Sequence, residues 1–155
     1  MKKIILTLVV CCIIIGFAIM AFTTNDRALD KFSEQLFNLK LPGKTTLIEK
    51  RNISGKLNGN GNGMDFLACI LLETDLDINQ LKNYYESIEF ENAKKGHDFP
   101  PEVHVIGVQS NRLETEYLEH GDIIFSSLDE IFDFEKYFAV LIYDGGYITF
   151  DIRGH

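Results

Sequence analysis

Cysteine is scarce in this chain of 155 residues, which contains only three. Cys11 and Cys12 lie inside a long apolar stretch near the N-terminus, so Cys69 is the one cysteine in the remainder of the sequence. A single thiol can form neither an internal disulfide nor a cysteine-based zinc site, and both are excluded for that remainder. Cys69 stands in an apolar run and is predicted to be a small buried hydrophobe rather than a nucleophile.

Positive charge is also in deficit. The 15 Lys and Arg residues are outnumbered by 23 Asp and Glu, which gives a formal net charge of -8. Residues 1–22 contain Lys2 and Lys3 and no acidic residue, so removing those two charges leaves -10 for residues 23–155. Nucleic acids and anionic lipid head groups need a basic surface, so they are disfavoured as partners, whereas a basic protein fits. The acidity can also serve only to keep the domain soluble.

Catalytic and cofactor motifs are missing as well. No Ser, Cys or Thr stands in a nucleophile elbow. Residues 75–86 place oxygen atoms at the offsets of an EF-hand calcium loop, but Gln80 occupies the position that needs Gly. The four histidines are not spaced as helical metal pairs: they are His97, His104, His120 and His155. We therefore predict no catalytic residue, no metal site and no cofactor.

One long apolar run is present. Residues 4–22 contain no charged residue and a single polar one, Thr7. In a helix they would span about 30 Å, which matches the hydrocarbon layer of a bilayer. Gly16-Phe17-Ala18 would suit cleavage of a signal peptide and hence secretion, but the run continues to Phe22, which favours a retained anchor.

The charges around this run predict its orientation. Lys2 and Lys3 precede it, and the positive-inside rule then places the N-terminus in the cytoplasm. Residues 1–25 are accordingly predicted to be cytoplasmic lysines followed by a transmembrane signal-anchor helix. Residues 26–155 are predicted to form one domain outside the cell membrane.

That domain is predicted to have an α+β fold with a mainly antiparallel sheet and two or three amphipathic helices. Residues 27–39 and 78–88 carry apolar residues at helical spacing. Asp26 or Thr24 is predicted to cap the first helix, and a capping box at Asp77 and Gln80 precedes the second. A third, short helix is predicted to open at Ser127. The alternating or apolar segments predicted as strands are residues 45–53, 64–72, 103–108, 112–119, 123–126, 137–143 and 147–152.

Two glycine-rich segments are predicted to be hairpin turns. Asp144-Gly145-Gly146 is one, and the three Asn-Gly pairs between Gly55 and Asp65 are the other, because Gly and Asn tolerate positive φ. The second segment resembles a phosphate-binding loop, but a strand follows it where such a loop needs a helix. We predict a hairpin apex and a candidate recognition loop of Asn58, Gly59, Asn60, Gly61, Asn62 and Gly63, joined by Arg153 and His155.

The motif Gly-Lys-Leu-Asn-Gly-Asn-Gly-Asn-Gly-Met at residues 55–64 resembles that of a group of uncharacterised small exported or membrane-anchored bacterial proteins. Leu41-Pro42, Tyr84-Tyr85, His120-Gly121 and the terminal residues 151–155 share in the resemblance. It implies a bacterial source and an extracytoplasmic domain of unknown function, and it brings no catalytic residue. The loop and the Arg-Gly-His tail that it emphasises are predicted to pack together or to form one surface.

Three functional hypotheses follow. The first is a non-enzymatic interaction domain, anchored by residues 4–22, that presents an acidic surface to a basic protein. The second is an immunity-type protein that neutralises a basic toxin. The third is a small hydrolase or ligand-binding enzyme that uses His and carboxylate side chains brought together by the sheet.

Overall fold

The computed structural model describes residues 2–59, 61–148 and 151–154, and it confirms an α+β fold with an N-terminal apolar helix. Four strands form one antiparallel sheet in the order β1-β2-β4-β3. The helices and strands are α1 (Lys2–Phe37), β1 (Thr45–Gly55), β2 (Met64–Thr74), α2 (Ile78–Tyr85), β3 (Glu102–Gly107) and β4 (Tyr137–Tyr147), with 3₁₀ turns at Ser126–Leu128 and Ile152–Gly154.

Strand β2 is the centre of the core. It lies between β1 and β4, and its residues from Met64 to Leu72 are all buried. Alternate side chains enter two different apolar layers, because successive side chains of a strand point to opposite faces. One layer contains Phe66 and Ile70 together with α1 and α2, and the other contains Leu67 and Cys69 together with the segment after β3. The continuous apolar run therefore reflects a sheet covered on both faces.

Helix α1 is a single helix of 36 residues, where the sequence predicted an anchor and a separate amphipathic helix. Thr24, predicted as a possible cap, donates its hydroxyl hydrogen to the carbonyl of Met20 at 2.7 Å and does not end the helix. No Pro or Gly occurs in residues 18–36, so nothing interrupts the helical hydrogen bonds. The boundary predicted between residues 25 and 26 therefore falls inside a continuous helix.

The two halves of α1 have different surroundings. The apolar side chains described between Ile4 and Met20 are exposed, whereas Phe32 and Leu36 are buried in the core. The segment Lys3–Phe37 is long and apolar enough to cross a membrane. One continuous helix thus joins an exposed apolar span to the centre of the folded domain.

Helix α2 begins at the predicted capping box. The Asp77 carboxylate accepts hydrogen bonds from the backbone N–H groups of Asn79 and Gln80 at 2.8 and 2.9 Å, and Gln80 Oε1 accepts one from Asp77 N at 3.1 Å. This capping satisfies N–H groups that the first helical turn leaves unpaired. The helix ends at Tyr85, three residues before the predicted end.

The predicted second hairpin is wrong, since β4 continues through Asp144, Gly145 and Gly146 to Tyr147. Met64 pairs with Tyr147 and Phe66 with Asp144, so Gly145 and Gly146 together lie opposite the single residue Asp65. This is a β-bulge, and Gly146 has a positive φ of 83° there. The glycine pair bends a strand instead of reversing the chain.

The strands predicted at residues 112–119 and 123–126 are also wrong. Only an isolated bridge between Arg112 and Ile124 is found in that part of the described chain. The short helix predicted from Ser127 is a 3₁₀ turn, Ser126–Leu128. This segment lacks regular pairing, yet it covers one face of the sheet with the buried side chains Leu113, Tyr117, Ile123, Phe125 and Leu128.

Candidate functional site

The predicted hairpin between β1 and β2 is confirmed, since β1 ends at Gly55, β2 begins at Met64 and the two strands pair antiparallel. The first residues of the loop between them are held by Asp65, a buried carboxylate at the start of β2. Asp65 Oδ2 accepts hydrogen bonds from Leu57 N at 2.9 Å and Asn58 N at 3.1 Å, and Oδ1 accepts one from Gly146 N at 2.8 Å. Asp65 therefore links the loop to the β4 bulge through hydrogen bonds.

The middle of the loop rests on the segment after Tyr117. Gly59 N donates to Glu119 Oε2 at 3.0 Å, and His120 N donates to the Leu57 carbonyl at 2.9 Å. Gly59 has φ 67°, a conformation that favours glycine. Gly61 and Asn62 are exposed, and Asn60 lies outside the described residues. The exposed part of the candidate recognition loop is thus short and sits on a fixed base.

The loop also contacts the C-terminal tail, as predicted. Lys56 N donates to the Arg153 carbonyl at 2.6 Å, and Gly63 N donates to the Gly154 carbonyl at 2.8 Å. These two backbone bonds hold the tail along the loop. His155 lies outside the described residues, so the structure places Arg153 in this contact but not His155.

Arg153 and Asp151 tie the tail to α1. Asp151 is fully buried and accepts hydrogen bonds from Asn25 Nδ2 at 2.9 Å and from Arg153 Nε at 3.0 Å. Arg153 Nη1 also lies 2.7 Å from Asp26 Oδ1. We call Asn25, Asp26, Lys94, Asp151 and Arg153 the junction cluster, because they meet where α1 leaves its exposed apolar span.

The junction cluster shifts the pKa values of its members. Burial alone would raise the pKa of Asp151, but hydrogen bonds from Arg153 and Asn25 outweigh it and lower that pKa to about 2. The hydrogen bonds of Arg153 to Asp151 and Asp26 raise the pKa of Arg153 against the opposing effect of burial. Asp151 and Arg153 therefore form a charged pair at neutral pH.

Lys94 brings a third segment into the junction cluster. Its Nζ donates a hydrogen bond to Asn25 Oδ1 and lies 5.3 Å from the centre of the Phe66 ring. Burial lowers the pKa of Lys94, while the Asp151 carboxylate acts in the opposite direction. Lys94 thereby attaches the loop between α2 and β3 to α1 through Asn25. It also makes a cation–π contact with Phe66 of β2.

Two His–carboxylate pairs bear on the enzyme hypothesis. His97 Nδ1 lies 3.6 Å from Asp144 Oδ1, and Asp144 Oδ2 also accepts hydrogen bonds from Ala93 N at 2.7 Å and Tyr147 Oη at 2.5 Å. Asp144 is buried, and its bonds hold the loop that carries His97 against the end of β4. Asp144 therefore has a structural role, because its hydrogen bonds connect this loop to β4.

The second pair lies on the other face of β4. Tyr117 Oη donates to Glu102 Oε2 at 2.6 Å and is 2.8 Å from His104 Nε2. The Tyr117 ring stacks on that of Tyr143 with the ring centres 4.6 Å apart. This hydrogen-bonded stack attaches the cover segment to β3 and β4, and the enzyme hypothesis stays a prediction.

Metal binding and similarity to other proteins give no further assignment. Within residues 2–59, 61–148 and 151–154, no group of three or more His, Cys, Asp or Glu side chains is arranged to hold a metal ion. Burial raises the pKa of Cys69, which lies in the core. Comparison with protein-family models, curated proteins and solved structures found no significant match. Function is therefore inferred from geometry and charge.

Proposed function

We propose that this chain is a single-pass membrane protein that presents an acidic, non-enzymatic interaction domain outside the cytoplasm. The observation that carries the proposal is the unbroken course of α1 from its exposed apolar span into the domain core. Exposed apolar residues over such a length are unfavourable in water and suit a bilayer. The lysines that precede the span support a cytoplasmic N-terminus.

The way α1 enters the domain supports a fixed distance between the folded domain and the bilayer. The junction cluster begins at Asn25, only three residues beyond Phe22, where the apolar run ends. Its hydrogen bonds hold both the tail and the loop carrying Lys94 against α1. A domain attached in this way has no flexible linker, so its orientation relative to α1 is fixed.

The end of the sheet opposite the junction cluster is acidic. Strand β2 runs from Met64, which pairs with Tyr147 near the cluster, to Thr74, whose N–H donates to the Lys136 carbonyl at 2.9 Å. Eleven residues in a strand extend about 35 Å. The exposed acidic residues around this far end, which we call the distal end, are Glu73, Asp75, Asp129, Glu130, Asp133 and Glu135. Asp75 is paired with Lys136 at 2.6 Å, and the other five carboxylates carry the negative charge.

A basic protein is the partner that this charge suits. The acidic surface attracts a positively charged surface over several ångströms and accelerates its association. Anchoring removes the acidic domain from free diffusion and places it where an incoming partner would first meet the membrane. An immunity-type protein against a basic toxin is one specific form of this proposal.

Orientation is tested by labelling cysteine variants in intact cells with a membrane-impermeant maleimide. Phe132→Cys introduces a thiol at an exposed residue of the distal end, and Lys3→Cys introduces one before the apolar run. We expect Phe132→Cys to be labelled in intact cells and Lys3→Cys only after permeabilisation. The unmodified chain is the background control, since Cys69 is buried and Cys11 and Cys12 lie in the span.

Two outcomes contradict the proposed anchorage. One is labelling of Phe132→Cys only after the cells are opened, which would place the domain in the cytoplasm. The other is recovery of a shortened chain that lacks the apolar run. This chain would be found in the soluble fraction or be released from the membranes by alkaline carbonate. Either result would replace the anchored protein with a cytoplasmic or a secreted one.

The basic partner is tested by cross-linking in membranes that contain the full chain. Glu130→Gln together with Glu135→Gln removes two charges from the distal end, and Glu86→Gln together with Glu89→Gln removes two exposed charges elsewhere. We expect the first pair to lower capture of a basic protein several-fold and raised salt to abolish it. Equal capture by both variants at all salt concentrations would contradict an electrostatically recognised partner.

A further inference from the structure

The C-terminal turn Ile152–Gly154 lies beside the point where the apolar span of α1 ends. Arg153 Nη2 is 3.5 Å from the Phe22 carbonyl oxygen, and the guanidinium carbon lies 4.9 Å from the centre of the Phe22 ring. Arg153 Nη1 reaches Asp26, one helical turn further along α1, at 2.7 Å. The turn therefore follows α1 over the stretch from Phe22 to Asp26.

This stretch corresponds to the head-group layer of a bilayer. The helix rises about 6 Å between Phe22 and Asp26. The polar layer of each leaflet is about 5–7 Å thick, if the apolar run fills the hydrocarbon core. On the proposed anchorage, the C-terminal turn is thus placed at the depth of the lipid head groups.

Two isoleucines near this turn are exposed. Ile152 is 73% exposed and Ile148 is 93% exposed. Ile152 stands between Asp151 and Arg153, which are both bonded to α1, so its position relative to the helix is held by its neighbours. Ile148 directly follows Tyr147, whose Oη lies 3.2 Å from the Lys94 carbonyl oxygen. Both apolar side chains are therefore located at the end of the domain that carries the junction cluster.

We infer that Ile148 and Ile152 insert into the interfacial layer of the same leaflet that α1 leaves, as a second lipid contact of the domain. The inference rests on the proposed anchorage. Its occupant is the lipid boundary itself, because the exposed isoleucines lie at the end of the domain that the apolar span enters, and Ile152 neighbours Arg153, which contacts Phe22 at the end of that span. Zwitterionic lipid suffices for this contact, since it is apolar and the domain carries a formal charge of -10 that anionic head groups would repel.

The contact orients the domain. A single helix leaves a domain free to tilt with the helix in the bilayer, whereas a second attachment point limits that tilt. The distal end would then be held away from the lipid, where its carboxylates remain accessible. The membrane contact and the acidic surface are thus located at opposite ends of the sheet.

The test uses spin labels on the full chain in phosphatidylcholine vesicles. Ile148→Cys and Ile152→Cys are made separately in a chain with Cys11→Ala and Cys12→Ala, and buried Cys69 is retained. Phe132→Cys is the matched control, because Phe132 is an apolar residue that is 95% exposed at the distal end. Accessibility to oxygen and to a water-soluble nickel chelate is measured by power saturation.

For each label we compare the ratio of oxygen accessibility to nickel-chelate accessibility. We expect this ratio to be at least several-fold higher at residues 148 and 152 than at residue 132. Labels at 148 and 152 that resemble the one at 132, on a chain that floats with the vesicles, would overturn the inference and leave the anchorage intact. Labels shielded from both reagents would indicate protein contact and also overturn it. A chain that does not float with the vesicles would overturn both proposals.

Discussion

Asp65→Asn is expected to lower the free energy of unfolding of the domain by about 3–4 kcal/mol. The carboxylate accepts three backbone hydrogen bonds, from Leu57, Asn58 and Gly146. An amide of the same size has only one acceptor oxygen and turns an NH₂ group toward a backbone N–H. At least one buried donor is then left without its acceptor, and the charge that strengthened all three bonds is lost.

The loss is measured by denaturant unfolding of the full chain in nonionic detergent. The chain contains no Trp and six Tyr, so near-ultraviolet circular dichroism of the tyrosines reports the packing of the domain. Asp98→Asn is the matched control, because Asp98 is exposed, and it is expected to change stability by less than about 0.5 kcal/mol. A similarly small loss for Asp65→Asn would show that the three bonds do not hold the loop.

Gly145→Ala tests the same contact between Asp65 and the β4 bulge without removing the Asp65 charge. A Cβ atom at Gly145 would lie 2.5 Å from Asp65 Oδ1 and 2.7 Å from Tyr143 Cζ, closer than non-bonded atoms approach. Tyr143 stacks on Tyr117 and Asp65 is held by backbone N–H groups, so neither can move away freely. We expect a loss of about 2 kcal/mol, against less than about 1 kcal/mol for Gly43→Ala, where a Cβ meets no atom.

The fold class could be predicted because its strongest signals are local. Nine consecutive residues of β2 are buried and all but Asp65 are apolar, and such a run of strand length occurs where both faces of a sheet are covered. The capping box at Asp77 and Gln80 marks the start of α2 through bonds between neighbours in sequence. Neither signal depends on a distant part of the chain, which is why both predictions were confirmed.

The wrong predictions concern residues whose conformation is decided by distant partners. Gly145-Gly146 suits a turn as well as a bulge, and the bulge is selected by Asp65, which bonds to Gly146 N from the neighbouring strand. Asp26 suits a helix N-cap, yet it lies inside α1 and accepts a hydrogen bond from Arg153, more than a hundred residues away. A pattern within one segment contains no information on such contacts.

The candidate site was predicted in part for the same reason. The Asn-Gly loop and Arg153 attract attention by composition, and the structure places Gly63 and Arg153 in one loop–tail contact. Asn25, Lys94 and Asp151 are ordinary polar residues in sequence, and only the fold brings them together. The one sequence feature that points to the junction cluster is the position of Asn25 and Asp26, a few residues after the apolar run. A recognition role for the exposed Gly61 and Asn62 stays a prediction.

Asp151→Asn is expected to lower the free energy of unfolding by about 2–3 kcal/mol at pH 7, since it removes the buried acceptor of Arg153 and Asn25. The effect must depend on pH. The folded pKa of Asp151 is about 2, below the ordinary value of 3.8, so the charged carboxylate stabilises the fold above about pH 4. That contribution is lost as the pH falls toward 2, where the carboxylate becomes protonated.

The difference in stability between the unmodified chain and Asp151→Asn should therefore be constant from pH 5 to 7 and shrink between about pH 4 and pH 2. The exposed pair Arg112–Asp122 provides a matched control, because Asp122→Asn also removes an Asp–Arg contact. Exposed pairs contribute little, so we expect a loss of at most about 0.5 kcal/mol there. A difference for Asp151→Asn that persists at pH 2 would mean that the substitution acts through altered packing and not through the charge that ties the tail to α1.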